Sequence, residues 1–130
     1  LIIKNLIFLA IISFFITGCI PKETIIASNS ATILFKTPKL KFYDKGFIYK
    51  FEDYTQVQVF STGIAIFDVK IYDDKICQST FKCQSLDTFN KENLSSTYPK
   101  NFLKELFGKN EKEIIHKDIE NSILIKIIKD

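Results

Sequence analysis

Between Ala31 and Cys77, apolar side chains recur at every second position in short runs rich in Ile, Val, Phe and Tyr, broken by Pro, Gly and Asp. Period two belongs to the β-strand, whose successive side chains point to opposite faces of a sheet. The runs predict strands at Thr32–Lys36, Leu40–Tyr43, Phe47–Phe51, Thr55–Ser61 and Ile64–Tyr72. The turns fall at Thr37-Pro38, Asp44-Lys45-Gly46, Glu52-Asp53 and Thr62-Gly63. Connections this short force neighbouring strands to run antiparallel, since a parallel pair needs a crossover of about a dozen residues. A meander of about five strands is therefore expected.

Alternation also assigns faces. Phe47, Tyr49 and Phe51 share one side and Ile48, Lys50 and Glu52 the other, while Val57 and Val59 oppose Gln56 and Gln58. One side of each strand should meet the core. Ala65, Phe67, Val69 and Ile71 form an apolar row opposite Ile64, Ile66, Asp68 and Lys70, so the first half of this strand reads as covered on both sides.

After Cys83 the period lengthens. Asp87 to Leu94 reads as a short helix capped by Ser85 or Asp87, and Pro99 to Phe107 as a second, with Pro99 at the first helical position and Gly108 just past the end. Phe102, Leu103, Leu106 and Phe107 share one face of it, the pattern of a helix laid on a core. Ile114 and Ile115, a polar turn from Asp118 to Asn121, and the alternating stretch Ser122 to Lys129 read as a closing hairpin, with Glu111 to Lys117 as possible helix instead. The fold class is α+β: an antiparallel meander, one or two short helices packed on one face, and a C-terminal strand or hairpin.

The 130 residues are 46% apolar and 25% charged, which excludes a disordered or collagen-like chain and leaves one ordinary domain with a separate front segment. All 18 basic residues are lysine. Ile, Lys, Asn and Phe all have AT-rich codons, so the lysine count by itself carries little functional weight. Lys36, Lys39 and Lys41 form the densest basic stretch, flanked by Phe35 and Phe42. A single-strand nucleic-acid platform would look like this, but lysines on the solvent side of strands, or blunting an edge strand, explain it more simply. No nucleic-acid partner is expected, because such binders are far more basic and clustered.

At the front, Lys4 precedes an apolar run from Leu6 to Ile16 interrupted only by Ser13, about the length of a signal-peptide core and short for a bilayer span. The run ends in Ile16-Thr17-Gly18-Cys19. Here the chain resembles bacterial lipoproteins, whose lipobox is an aliphatic residue, a small residue, Gly or Ala, and then Cys. The resemblance implies cleavage before Cys19, a thioether from its sulfur to diacylglycerol, and further acylation of the new amine, palmitate being the usual kind of chain. The attachment would hold the protein to the membrane far more firmly than one myristoyl chain does. Ile20, in place of Asp, implies the outer membrane under the family's sorting rule. Residues 1–18 are then the signal peptide, 19–30 a lipidated tether, and 31–130 a single periplasmic domain. Cleavage leaves 112 residues with 17 lysines and 15 acids, a net charge of about +2 with the amine blocked.

Export would place Cys77 and Cys83 in an oxidising compartment, where an even pair left after lipidation is most simply a disulfide. Their spacing is not the C-x-x-C of redox sites, and His116, the sole histidine, adds too few ligands for zinc. No metal and no cofactor is implied.

Catalytic signatures are missing: the chain has no G-x-S-x-G, no H-E-x-x-H and no Gly-rich phosphate loop. His116, beside Lys117 and Asp118, reads as an exposed turn histidine, and Glu52-Asp53 and Asp73-Asp74 as solvated turn residues. No enzyme and no catalytic residue is expected. The chain reads as a small envelope lipoprotein with a non-enzymatic interaction or structural role, binding the membrane through Cys19 and another envelope protein through a sheet edge or helical face. The alternative is a carrier or receptor for lipid or acylated protein, with an apolar cavity between sheet and helices. At fold level only, that alternative is similar to the receptor that takes lipoproteins from their periplasmic carrier, although this chain is shorter and has no tryptophan.

Overall fold

A computed structural model describes residues 2–4, 18, 23–78 and 82–130. Its strands are β1 (Ala27–Lys36), β2 (Lys41–Lys50), β3 (Tyr54–Ser61), β4 (Ile64–Tyr72), β5 (Ile76–Gln78), β6 (Lys82–Gln84), β7 (Glu113–Asp118) and β8 (Ile123–Lys129), and its helices are α1 (Leu86–Asn93) and α2 (Phe102–Gly108). The strands form one antiparallel sheet in the order β6-β5-β4-β3-β2-β1-β8-β7. The sheet is open and one of its faces is covered by the short helices, an α+β arrangement with more strands than the five expected.

Two of the expected strands are one. Lys41–Lys50 pairs without interruption with Ala27–Lys36, so the chain runs straight through the expected turn at Asp44-Lys45-Gly46. Gly46 has another use there. A β-carbon on it would lie 2.3 Å from the Gln58 carbonyl oxygen and 3.2 Å from Ile33 and Val59. It permits β2 and β3 to approach at the point where their pairing begins, close to the register shift between Val59 and Phe60. The hairpin turn at Thr37-Pro38 is as expected, closed by the Thr37 hydroxyl, which accepts from the Lys39 and Leu40 amides at 3.2 and 2.9 Å. β1 starts four residues before Ala31, with the Ile26 amide donating to the Lys50 carbonyl at 2.7 Å.

The C-terminal half closes as the expected hairpin: Glu113–Asp118 is strand, the alternative of helix being excluded by pairing along its whole length with β8. The second helix begins at Phe102; Pro99 to Asn101 make the turn before it, and Gly108 is its last residue. The first helix starts at Leu86 with Ser85 as its cap, the hydroxyl accepting from the Thr88 amide at 3.1 Å.

The core lies between the helices and one sheet face. Ile33, Phe35, Ile48, Val57, Val59, Val69, Ile71, Ile125 and Ile127 reach it from the sheet, and Phe89, Leu103 and Phe107 from the helices; each is at most 1% exposed. At about 1.5–3 kcal/mol per large buried side chain, these contacts dominate folding. β6 and β7 are opposite edges of the sheet, so the α1–α2 segment crosses the whole inner face between them. Its far end is held by two lysines from the sheet. Lys50 Nζ donates to the Gly108 carbonyl at 2.8 Å and Lys129 Nζ to the Lys109 carbonyl at 2.6 Å. Positive charge there complements the carbonyl end of α2.

Candidate functional site

The two candidate regions are the outer sheet face and the β7 edge. On β2, Ile48 turns inward, so Phe47 and Tyr49 turn away from the helices; Phe47 is 38% exposed and Tyr43 on the same row 64%. The beginning of β4, expected to be covered on both sides, is open: Ile64 is 67% and Ile66 44% exposed, and Ala65 is exposed too. Ile64 and Ile66 share the outer row with Asp68 and Lys70, and all three residues, Ile64, Ala65 and Ile66, lie beyond the register shift between Val59 and Phe60. Phe47 stacks with Tyr49 and meets Phe60 edge-on, with ring centres 6.0 and 6.1 Å apart.

Lysines alternate with these apolar side chains. In one row across the strands, Lys117 faces Leu124, Leu124 faces Lys36, and Lys36 faces Lys41. In the next, Ile115 faces Lys126, Lys126 faces Leu34, and Leu34 faces Tyr43. Lys45 and Lys70 belong to the same outer face. Phe35 and Phe42 do not: they turn inward and stack at 5.4 Å, so the nucleic-acid platform has no aromatic residues from this stretch. Nor is β1 an edge; it lies between β2 and β8, and Lys36 and Lys41 are solvent-face residues of central strands.

At the other end of this face, Tyr54 and Tyr72 pack at 5.1 Å, and Lys70 Nζ sits 5.0 Å from the Tyr54 ring centre. The Tyr54 hydroxyl donates to the Glu23 carboxylate. Burial and that carboxylate both raise the tyrosine pKa, so the phenol keeps its proton. Glu23, Ile26, Phe51, Glu52, Asp53 and Tyr54 line an open cavity of about 510 Å³. Asp73, from the second acidic turn, pairs with Lys104 instead. Among the described residues, no three metal-ligating side chains come together.

His116 is half-buried and not the exposed turn residue expected. Its Nε2 is 2.8 Å from the Tyr98 hydroxyl, which itself donates to Asp118 Oδ2 at 2.6 Å. Tyr98 has one proton to give, so Nε2 carries the hydrogen and donates to the tyrosine oxygen. Phe102 meets the ring edge-on at 4.7 Å. Desolvation, with Lys109 nearby, lowers the imidazole pKa against the opposing pull of Asp118. Hydrogen bonds from Tyr98 and Asn121 hold Asp118 below its usual value. The cleft beside the ring is about 110 Å³, and among the described residues no serine, threonine or cysteine bonds to it. Chemically the cluster is a latch between the α1–α2 segment and the β7 edge. The sequence signal was thin: Tyr98 is 18 residues from His116.

Cys77 and Cys83 are opposite one another in the β5–β6 hairpin and joined by a disulfide. The expected lipidation site, Cys19, lies outside the described residues, as does most of the leader. Among the described residues no helix is long and apolar enough to cross a membrane.

The chain matches no protein-family model, no curated protein and no solved structure.

Proposed function

We propose that this chain is a small lipid-anchored protein of the bacterial envelope, attached through Cys19 to the outer membrane on its periplasmic side, with a non-enzymatic role in binding another envelope protein. The observation that carries the anchor is the apolar run ending in Ile16-Thr17-Gly18-Cys19. The Cys77–Cys83 disulfide fits an exported domain. A binding role is favoured over a carrier role by the filled interior. A lipid carrier needs an apolar void of roughly 300 Å³ or more, whereas the side chains that meet between sheet and helices, Phe35, Phe89, Leu103 and Phe107, are each at most 1% exposed. An interaction role is favoured over catalysis by the histidine, whose Nε2 is used in the Tyr98 latch.

Two experiments test this reading. Mass analysis of the protein from its native host should find a chain beginning at Cys19 and carrying diacylglycerol; a bare thiol with the leader attached would overturn the anchor. Crosslinking in intact cells should capture one defined envelope protein, and recovery of lipid or acylated protein inside the domain would favour the carrier instead.

A further inference from the structure

We propose that the outer sheet face is a docking surface for an anionic phospholipid layer, so that the anchored domain lies with its sheet flat on the membrane. The inference deepens the proposed function and rests on it for the anchor alone.

Charge is distributed unevenly over the fold. Lys36, Lys41, Lys45, Lys70, Lys117 and Lys126 all belong to the outer face, against Asp68, Glu113, Asp130 and, at the Tyr54 end, Glu23. Across the rest of residues 23–130, eleven carboxylates stand against ten lysines. Codon bias enriches lysine everywhere and explains no such segregation. These carboxylates are engaged as well, Glu23 by the Tyr54 hydroxyl. Asp68 accepts from Gln56 and Gln58 at 3.0 and 3.1 Å, Asp130 pairs with Lys45 at 2.7 Å, and Glu113 pairs with Lys126 at 3.7 Å. Lys36, Lys41 and Lys117 are exposed and in no ion pair among the described residues. Lys36 and Lys41 even face each other directly, a like-charge pairing that weakens a hairpin. An anionic surface relieves that repulsion.

The apolar residues between them complete the match. Tyr43 and Ile115, 64% and 55% exposed, flank Lys126 and Leu34 in the row beside the three free lysines. Aromatic and aliphatic tips at headgroup depth, with lysine stems spreading between phosphates, are what a lipid interface selects.

Glu23, the first described residue after Cys19, is at the opposite end of the same face. Glu23 bonds to Tyr54, an outer-face residue, and three residues separate it from Cys19, a reach of at most about 14 Å over four steps of chain. From Ala27 to Lys36, β1 then carries the chain roughly 30 Å along the face to the free lysines. Lipid at one end and lysine charge at the other are two attachments on one plane, and two fix an orientation where one leaves the domain swinging.

The test uses the chain from Cys19 onward without lipid and with that thiol blocked; the core is made by residues 31–127, so this chain carries the whole fold. It is sedimented with vesicles of phosphatidylglycerol and phosphatidylcholine, or of phosphatidylcholine alone. We expect binding to the anionic vesicles only, lost when salt is raised to about 0.5 M. Lys36→Glu with Lys117→Glu should lower partitioning by roughly tenfold or more. Lys36→Glu also gives Lys41 an opposite charge, so melting should show this variant folded. Lys91→Glu with Lys100→Glu, the same charge change on the helical side, should bind as the parent does. Equal binding by both double variants, equal binding to neutral vesicles, or no binding to either would overturn the proposal. So would capture of a labelled oligothymidine with the vesicles unbound, which would assign the face to nucleic acid. Failure of the anchor is a separate result, read as an unmodified Cys19 in native material.

Discussion

Gly46→Ala and Gly108→Ala make the same chemical change, yet the surroundings of the two glycines predict opposite signs. In ordinary strand or helix, replacing glycine by alanine stabilises by about 0.5–1 kcal/mol, because the unfolded chain loses freedom. Gly108, the last residue of α2, has nothing within 4 Å of a new β-carbon and should show that gain. At Gly46 the β-carbon would come within 2.3 Å of the Gln58 carbonyl oxygen, a backbone atom held in the β2–β3 pairing. The contact can be relieved only by parting the strands at the centre of the sheet, where Ile33 and Val59 close the core. Overpacking of this kind costs typically about 1–3 kcal/mol, and a rigid neighbour puts it at the upper end. After the entropic gain the net loss is about 2 kcal/mol. For a domain of about 100 residues that lowers the melting temperature by roughly 10 °C, and the urea midpoint by about 1 M. Equilibrium urea denaturation followed by far-UV circular dichroism measures both variants against the parent. A Gly46→Ala protein as stable as the parent would refute the close approach, and with it the reason β2 runs unbroken through Asp44-Lys45-Gly46.

Three other perturbations follow from the same structure. Replacing both Cys77 and Cys83 by alanine opens a short loop, of sequence separation 6, and should cost about 2 kcal/mol by the chain-entropy relation; an unchanged urea midpoint would mean that the hairpin is fixed by β4 alone. His116 has a lowered pKa when folded, so the unfolded chain binds the proton first. Stability should therefore be complete above about pH 6.5 and decline as pH falls below it, and His116→Gln should remove that part of the slope, as melting between pH 7.5 and 5 would show. Lys129→Met removes a bond to the Lys109 carbonyl but also a desolvated charge repelled by Lys50. The two effects oppose, and a loss of about 1 kcal/mol is expected; a stabilised variant would mean that the hold on α2 lies with Lys50.

Much of the sheet was legible because alternation is local. The Val57 and Val59 row is core, as period two implied. Less was legible where both rows of a strand are apolar. Ile48 competes with Phe47 and Tyr49, and only the position of the helices decides that Ile48 goes inside. The continuity of β2 is hidden in the sequence because Asp44-Lys45-Gly46 has turn chemistry; what overrides it is pairing with β1, a contact that local propensity does not contain. β5 and β6 are too short, at three residues each, to show a period. Of the candidate regions, the disulfide could be read from the even cysteine pair of an exported chain, and the Lys36–Lys41 cluster from spacing. The Tyr98–His116–Asp118 latch and the lysine-rich face could not, since both unite segments far apart in the chain.

The division of labour between the two sheet faces follows from topology. Because β6 and β7 are opposite edges, the single connection between them must cross one face completely, and it crosses as α1 and α2. That face is consumed by the core, and among the described residues no helix crosses the other. A soluble domain in this position would carry a polar outer face, as antiparallel sheets with one solvated side do. This one keeps Tyr43, Phe47, Ile66 and Ile115 among its lysines. With that face against lipid, the helical side and the two edges are what a protein partner meets. Both edges are guarded, β6 by its three-residue length and β7 by the exposed Glu113 and Lys117, so pairing by strand addition is disfavoured. The helical layer is then the surface from which crosslinks to a partner should arise.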